Sequence, residues 1–224
     1  MPSYLVTGAT RGIGLELARQ LVARGDAVIG TARDPDHADA LRATGARVEA
    51  LTVDDPASVA ALGARLAGTA IDVLVNNAGI GGHGGGLPDL TAAELHRYLA
   101  INAIGPVLVT QALLPSLRAG RLRRIAHVSS LMGSVADNTS GGAYGYRASK
   151  AALNMFNRSL AHELGRDGFV CVVLNPGWVQ TDMGGARAPL PVAQSVADLL
   201  ARIDGLTAAD SGRFFHHDGR ELPW

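Results

Sequence analysis

The chain has one cysteine, Cys171, among 224 residues, so no disulfide can form within it. That cysteine sits in the apolar run Phe169-Val170-Cys171-Val172-Val173-Leu174, with no basic neighbour to make a thiolate, and reads as a buried structural thiol. There is no excess charge of either sign, since 20 basic residues balance 20 acidic ones. This excludes a general attraction to nucleic acid or to an anionic membrane surface. No run of about 18 apolar residues is evident, so no membrane span is expected. The first apolar stretch ends at Thr7-Gly8, too early for a secretory signal, and a cytoplasmic protein is expected. Disorder is excluded by 47% apolar and 18% charged residues. Metal binding is not expected. His216-His217-Asp218 is the only dense cluster, and adjacent histidines in a strand would point to opposite faces.

Lysine is the scarcest charge. Of the 20 basic residues all but Lys150 are arginine. The two side chains are not interchangeable, so a position that keeps lysine in such a chain is marked for chemistry.

What is present is an alternation of short apolar runs and longer amphipathic ones. Strands are expected over 3–7, 27–31, 47–53, 71–75, 124–129, 169–174 and near 212–216. Helices are expected over 12–24, from Asp34-Pro35, from Asp55-Pro56 to about 67, from Thr91, over 143–165, and near 191–203. Thr91 to Glu94 reads as a capping box, and Pro106 and Pro115 are expected to bend or interrupt the helix it opens. No linker or repeat divides the chain. The pattern predicts a single α/β domain over 1–224, a Rossmann-type doubly wound parallel sheet of about seven strands with helices on both faces. Ligands then bind at the carboxyl ends of the strands.

The first strand runs into Thr7-Gly8-Ala9-Thr10-Arg11-Gly12-Ile13-Gly14 and then a helix. Glycines there let the backbone approach a pyrophosphate at the helix N-terminus. The second strand ends Ala32-Arg33, with alanine where an acidic residue would hold an unphosphorylated ribose. Arg11 and Arg33 would suit a 2′-phosphate, so NADP is expected over NAD. Asp34 is better placed as a helix cap.

Tyr146 and Lys150 stand at i and i+4, on one face of a helix. Bringing a tyrosine down by about three pKa units takes roughly 4 kcal/mol. A lysine ammonium and an oxidised nicotinamide are credible sources, and the phenol could then act as acid or base.

These motifs, in this order, resemble the short-chain dehydrogenase/reductase family over nearly the whole chain. Thr7 to Gly14 resembles the family's cofactor loop, through Gly8, Thr10, Arg11, Gly12, Ile13 and Gly14. Asp54 matches its adenine-contacting aspartate, and Asn76-Asn77-Ala78-Gly79 its motif after the fourth strand. Asn102 matches the active-site asparagine, Ser130 the serine, and Tyr146 and Lys150 the core pair. Pro176-Gly177-Trp178-Val179 and Thr181 match the segment that holds the carboxamide. Within the family the chain is similar to the C-factor-like and sniffer-like carbonyl reductases, through 129–146, 176–183 and 218–224.

The resemblance implies an NADP-dependent oxidoreductase acting on a small carbonyl or alcohol substrate. Ser130 would polarise the carbonyl and Tyr146 would give the proton. Lys150 would lower the tyrosine pKa and hold the ribose, and Asn102 would hold a water leading from the lysine to solvent. It also implies a homodimer or homotetramer, through the fourth and fifth helices. Ser130 lies sixteen residues before Tyr146, and Ser134, at twelve, competes for its role. The substrate pocket should be walled by 80–90, 131–145 and 182–195. The first wall is mostly glycine, which supplies few side chains, and the third is short, which suggests an open pocket tolerant of varied aldehydes and ketones. A non-catalytic cofactor-binding sensor or signalling protein on the same fold is the alternative.

Overall fold

The computed structural model describes residues 1–81 and 86–224. The expected glycines at 82, 84 and 85 therefore lie outside the described residues. Seven strands form one parallel sheet: β1 (Ser3–Val6), β2 (Ala27–Ala32), β3 (Arg47–Ala50), β4 (Val73–Asn76), β5 (Arg124–Val128), β6 (Val170–Asn175) and β7 (Phe214–His216). Their order is β3-β2-β1-β4-β5-β6-β7. The direction of winding reverses between β1 and β4, which opens a crevice at the carboxyl ends of those two strands.

Alternate residues feed two cores, as a sheet covered on both faces requires. Tyr4 and Val6 pack with α1 (Gly12–Ala23) and α7 (Val192–Asp204) on one face. Leu5 points the other way, toward α3 (Pro56–Arg65) and α5 (Gly105–Ala119), with Cys171 on the same side. Burial pushes the Cys171 thiol up to about 12, so it is inert at neutral pH.

The caps form where aspartate and threonine precede the helices. Asp34 accepts from the Asp36 N–H (3.1 Å), Asp55 from Ala57 (3.0 Å) and Thr91 from Glu94 (3.1 Å). After Asp34, however, the chain makes a 3-10 turn, Pro35–His37, and only then the one-turn α2 (Asp39–Arg42). The fourth strand starts at Val73 rather than 71. Asp72 just before it turns its carboxylate onto the backbone N–H groups of Ser3 (2.9 Å) and Arg121 (2.7 Å), which pins the amino edge of the sheet.

Of the two prolines, Pro106 marks a change in the helical hydrogen bonding and Pro115 does not end its helix. Helix runs without a break from α4 (Ala92–Leu99) through a π-turn, Ala100–Ile104, into α5. Pro106 has no N–H to offer the Asn102 carbonyl four residues back, and the wide π-turn lies where that bond is lost. Pro115 lies inside α5 without ending it. The whole run Ala92–Ala119 reaches a mean hydropathy of 1.4 over its most apolar window, enough by length and composition to cross a membrane. The expected lack of any such stretch is thereby corrected. Here its apolar side is covered by the sheet, with Val109, Leu113 and Leu117 fully buried.

The β7 end differs too. The His216 and His217 rings lie 4.3 Å apart rather than on opposite faces, because the strand ends at His216 and His217 begins a turn.

Candidate active site

A cleft of about 410 Å³ opens at the carboxyl ends of the strands. Gly8, Thr10, Arg11, Gly12, Ile13 and Gly14 form its first wall. The chain packs closely here. A Cβ on Gly14 would lie 2.3 Å from the Gly8 carbonyl oxygen. The Thr7 hydroxyl accepts from the N–H groups of Asn77 and Ala78 (3.0 Å each), and Asn77 Nδ2 donates to the Thr7 carbonyl (2.9 Å). The turns after β1 and β4 are thus locked together. Helix α1 begins at this wall with no side-chain cap and no acidic residue in its first turn. Its first N–H groups and its dipole are left to an anion in the cleft.

Arg33 and Asp54 line the cleft beyond the ends of β2 and β3. Ala78 and Gly79 line it after β4, and Pro176 and Thr181 after β6. Three expected cofactor residues stand elsewhere. Asn76 is buried behind the sheet end, where its Nδ2 donates to Thr110 Oγ1 (3.1 Å) and holds α5. Gly177 is closed in by His217 and Leu190, and Val179 is buried; neither lines the cleft. In their place the cleft takes Asn77, Ile80, Ile101 and Met183. The sequence held a signal for each: Asn77 lies inside a matched motif, Ile80 and Ile101 adjoin Gly79 and Asn102, and Met183 closes the similar stretch 176–183.

Tyr146 and Lys150 lie on α6 (Tyr144–Leu164) and face the cleft. Lys150 Nζ donates to the Val128 carbonyl at 2.9 Å and lies 5.9 Å from the centre of the Tyr146 ring. Burial pushes Lys150 down to about 8. Tyr146 moves opposite to the sequence expectation. Burial raises its pKa, and the hydrogen bond with the Ser130 hydroxyl beside it pulls the other way by less. With its pKa raised by burial, the tyrosine is neutral at physiological pH in the chain alone.

The two serines are separated by the 3-10 turn Leu131–Gly133. Ser130 stands beside the Tyr146 phenol and accepts from Met132 N–H (3.2 Å). Ser134 is buried and accepts from Asp137 N–H (3.0 Å), capping the next turn.

Asn102 is fully buried in the π-turn and does not line the cleft. Its carboxamide holds Ile80 at both backbone groups, accepting from N–H (2.8 Å) and donating to the carbonyl (2.9 Å), and also donates to Ser149 Oγ (3.1 Å). A Cβ at Gly79 would sit 3.1 Å from Asn102 Oδ1 and 3.6 Å from Lys150 Nζ. Glycine there lets the asparagine and the lysine approach the same strip of backbone.

A short chain dehydrogenase family model matches residues 3–189. The chain belongs to the short-chain dehydrogenase family. Among relatives of this family it is similar to C-signal of Myxococcus xanthus, with 57% identity over 154 residues, covering 69% of this chain and 93% of that protein. Among solved structures it is similar to the carbonyl reductase Sniffer of D. melanogaster, with a TM-score of 0.95, 33% identity and both chains fully covered. An NADPH-bound carbonyl reductase from chicken fatty liver superposes with a TM-score of 0.93 at 35% identity, covering 100% of this chain and 99% of that one. The short-chain dehydrogenase sheet, its glycine turn and the α6 pair thus stand here in the architecture of carbonyl reductases.

Proposed function

We propose that the chain is an NADP-dependent carbonyl reductase, with Ser130, Tyr146 and Lys150 as its catalytic residues. The observation that carries this is Tyr146 and Lys150 on one wall of a cleft whose other wall is the glycine turn, with Ser130, which itself does not line the cleft, beside the Tyr146 phenol. A structural neighbour with NADPH bound supports the cofactor.

The residues present fit such a cofactor. The uncapped start of α1 suits a pyrophosphate. Ala32 is buried where an acid would exclude a 2′-phosphate, and Arg33 lines the cleft with no ion pair among the described residues. Asp54 would take the adenine side. Ala78, Gly79, Pro176 and Thr181 would flank the nicotinamide side. Bound there, the cofactor supplies or takes the hydride.

The chain's own groups handle the proton and the oxygen. Ser130 donates a hydrogen bond to the carbonyl oxygen and stabilises its developing charge. Tyr146, kept neutral by burial, gives its proton to that oxygen, which suits reduction at neutral pH. Lys150 has one donor on Val128 and others left for a ribose hydroxyl and for the phenolate once it forms. Asn102 acts first as a positioning residue, holding Ile80. The remaining lone pair of its Oδ1 is where a water leading from Lys150 would bind. The substrate is a small aldehyde or ketone, or the matching alcohol, in an open pocket, and the family likeness favours a cytoplasmic enzyme.

Titration of the pure protein with NADPH and NADH, followed by nucleotide fluorescence, tests the cofactor. NADPH should bind at least about tenfold more tightly, since charge-assisted phosphate contacts are worth more than about 1.4 kcal/mol. Equal affinities would contradict the role given to Arg11 and Arg33. The alternative is a non-catalytic cofactor-binding sensor or signalling protein on the same fold, which needs no turnover. It predicts biological activity that survives Tyr146→Phe.

A further inference from the structure

The turn Thr181–Gly184 bridges the mouth of the cleft and touches both walls. Its own bonds hold it closed, with Thr181 Oγ1 accepting from Gly184 N–H (3.1 Å) and the Gly184 carbonyl accepting from Trp178 Nε1 (2.8 Å). On one side Thr181 packs over Gly12, where a Cβ would meet its methyl at 3.5 Å. On the other, Met183 fills the space of an absent Cβ at Gly81 (2.6 Å). Between them Asp182 Oδ2 accepts from Arg11 Nη1 at 2.8 Å, an exposed ion pair across the cleft mouth.

We propose that Asp182 lowers the preference of this chain for a phosphorylated dinucleotide by competing with the cofactor's 2′-phosphate for Arg11, a proposal that rests on the cofactor reading above. One carboxylate oxygen holds the guanidinium. A phosphate brings three acceptor oxygens and close to a double charge, and matches the guanidinium fork. With Arg33 as a second cation on the same cleft, the phosphate takes Arg11 from Asp182. Breaking the Arg11–Asp182 pair offsets part of what the phosphate contact gains. A dinucleotide without the phosphate leaves the pair intact. Asp182 therefore weakens NADPH binding and leaves NADH binding alone.

The test is a double-mutant cycle on the full chain, read by fluorescence titration. Asp182→Asn keeps the shape and removes the charge. It should tighten NADPH by about two- to fivefold, the scale of an exposed ion pair, with no matching change for NADH. In an Arg11→Gln background the same substitution should have no effect on NADPH. Equal tightening of both nucleotides, no tightening of either, or a gain that persists without Arg11 would overturn the proposal. Equal wild-type affinities for NADPH and NADH would contradict the cofactor reading itself. A wild-type preference for NADPH that Asp182→Asn leaves unchanged would contradict this proposal alone.

Discussion

Lys150 carries the clearest conflict between stability and chemistry. Its ammonium is fully buried with one backbone acceptor, and burial moves its pKa from the ordinary 10.5 to about 8. Below about 8 the folded chain must hold a charge that the unfolded chain solvates freely. As pH rises toward 10.5 the unfolded chain binds more protons than the folded one, so this group's penalty shrinks and stability rises. Lys150→Met should therefore stabilise the cofactor-free protein at pH 7 by about 1–3 kcal/mol, after allowance for the lost bond to Val128. The gain should fade above about pH 8, and turnover should be lost. Denaturant unfolding at several pH values reads the first part; a variant less stable than wild type at pH 7 would contradict it. The scarcity of lysine singles out this residue in the sequence itself. What the sequence hides is the sign of the Tyr146 shift. The i, i+4 spacing places two side chains on one face, but burial by distant segments decides which protonation state wins.

At the scale of elements, the π-turn is the device that brings Asn102 to Ile80. Asn102→Ala removes three hydrogen bonds from a buried site and leaves the Ile80 backbone groups unpaired. A loss of about 2–4 kcal/mol is expected in denaturant unfolding, together with a fall in kcat. If kcat fell while stability stayed at the wild-type value, the positioning role would be wrong. The asparagine is legible from its place in the motif order. Its binding of Ile80 is not, because that depends on a helix widening just before Pro106. The same limit explains Asn76. Side by side in the sequence, Asn76 and Asn77 look equivalent. Strand alternation at the end of β4 sends Asn76 into the core onto Thr110 and leaves Asn77 to the cleft.

For the whole molecule, the parallel sheet is readable because strand and helix signals alternate with clear caps. The winding reversal that creates the cleft follows from the order of the strands, which no local pattern states. Ile104 on the π-turn (46% exposed) and Met155 and Phe156 on α6 (66% and 37%) are apolar side chains facing solvent. We expect a homodimer or homotetramer through α4–α5 and α6, visible by sedimentation, and a monomer at micromolar concentration would contradict it. Carbonyl reduction with Tyr146 as the acid stands or falls on the rate of NADPH oxidation with a panel of aldehydes and ketones. It is measured for wild type and for Tyr146→Phe, with NADPH affinity alongside. Turnover should fall by about a thousandfold in the variant while NADPH affinity stays unchanged. Turnover retained in Tyr146→Phe, or absent from the wild type across the panel despite tight NADPH binding, would contradict the assignment.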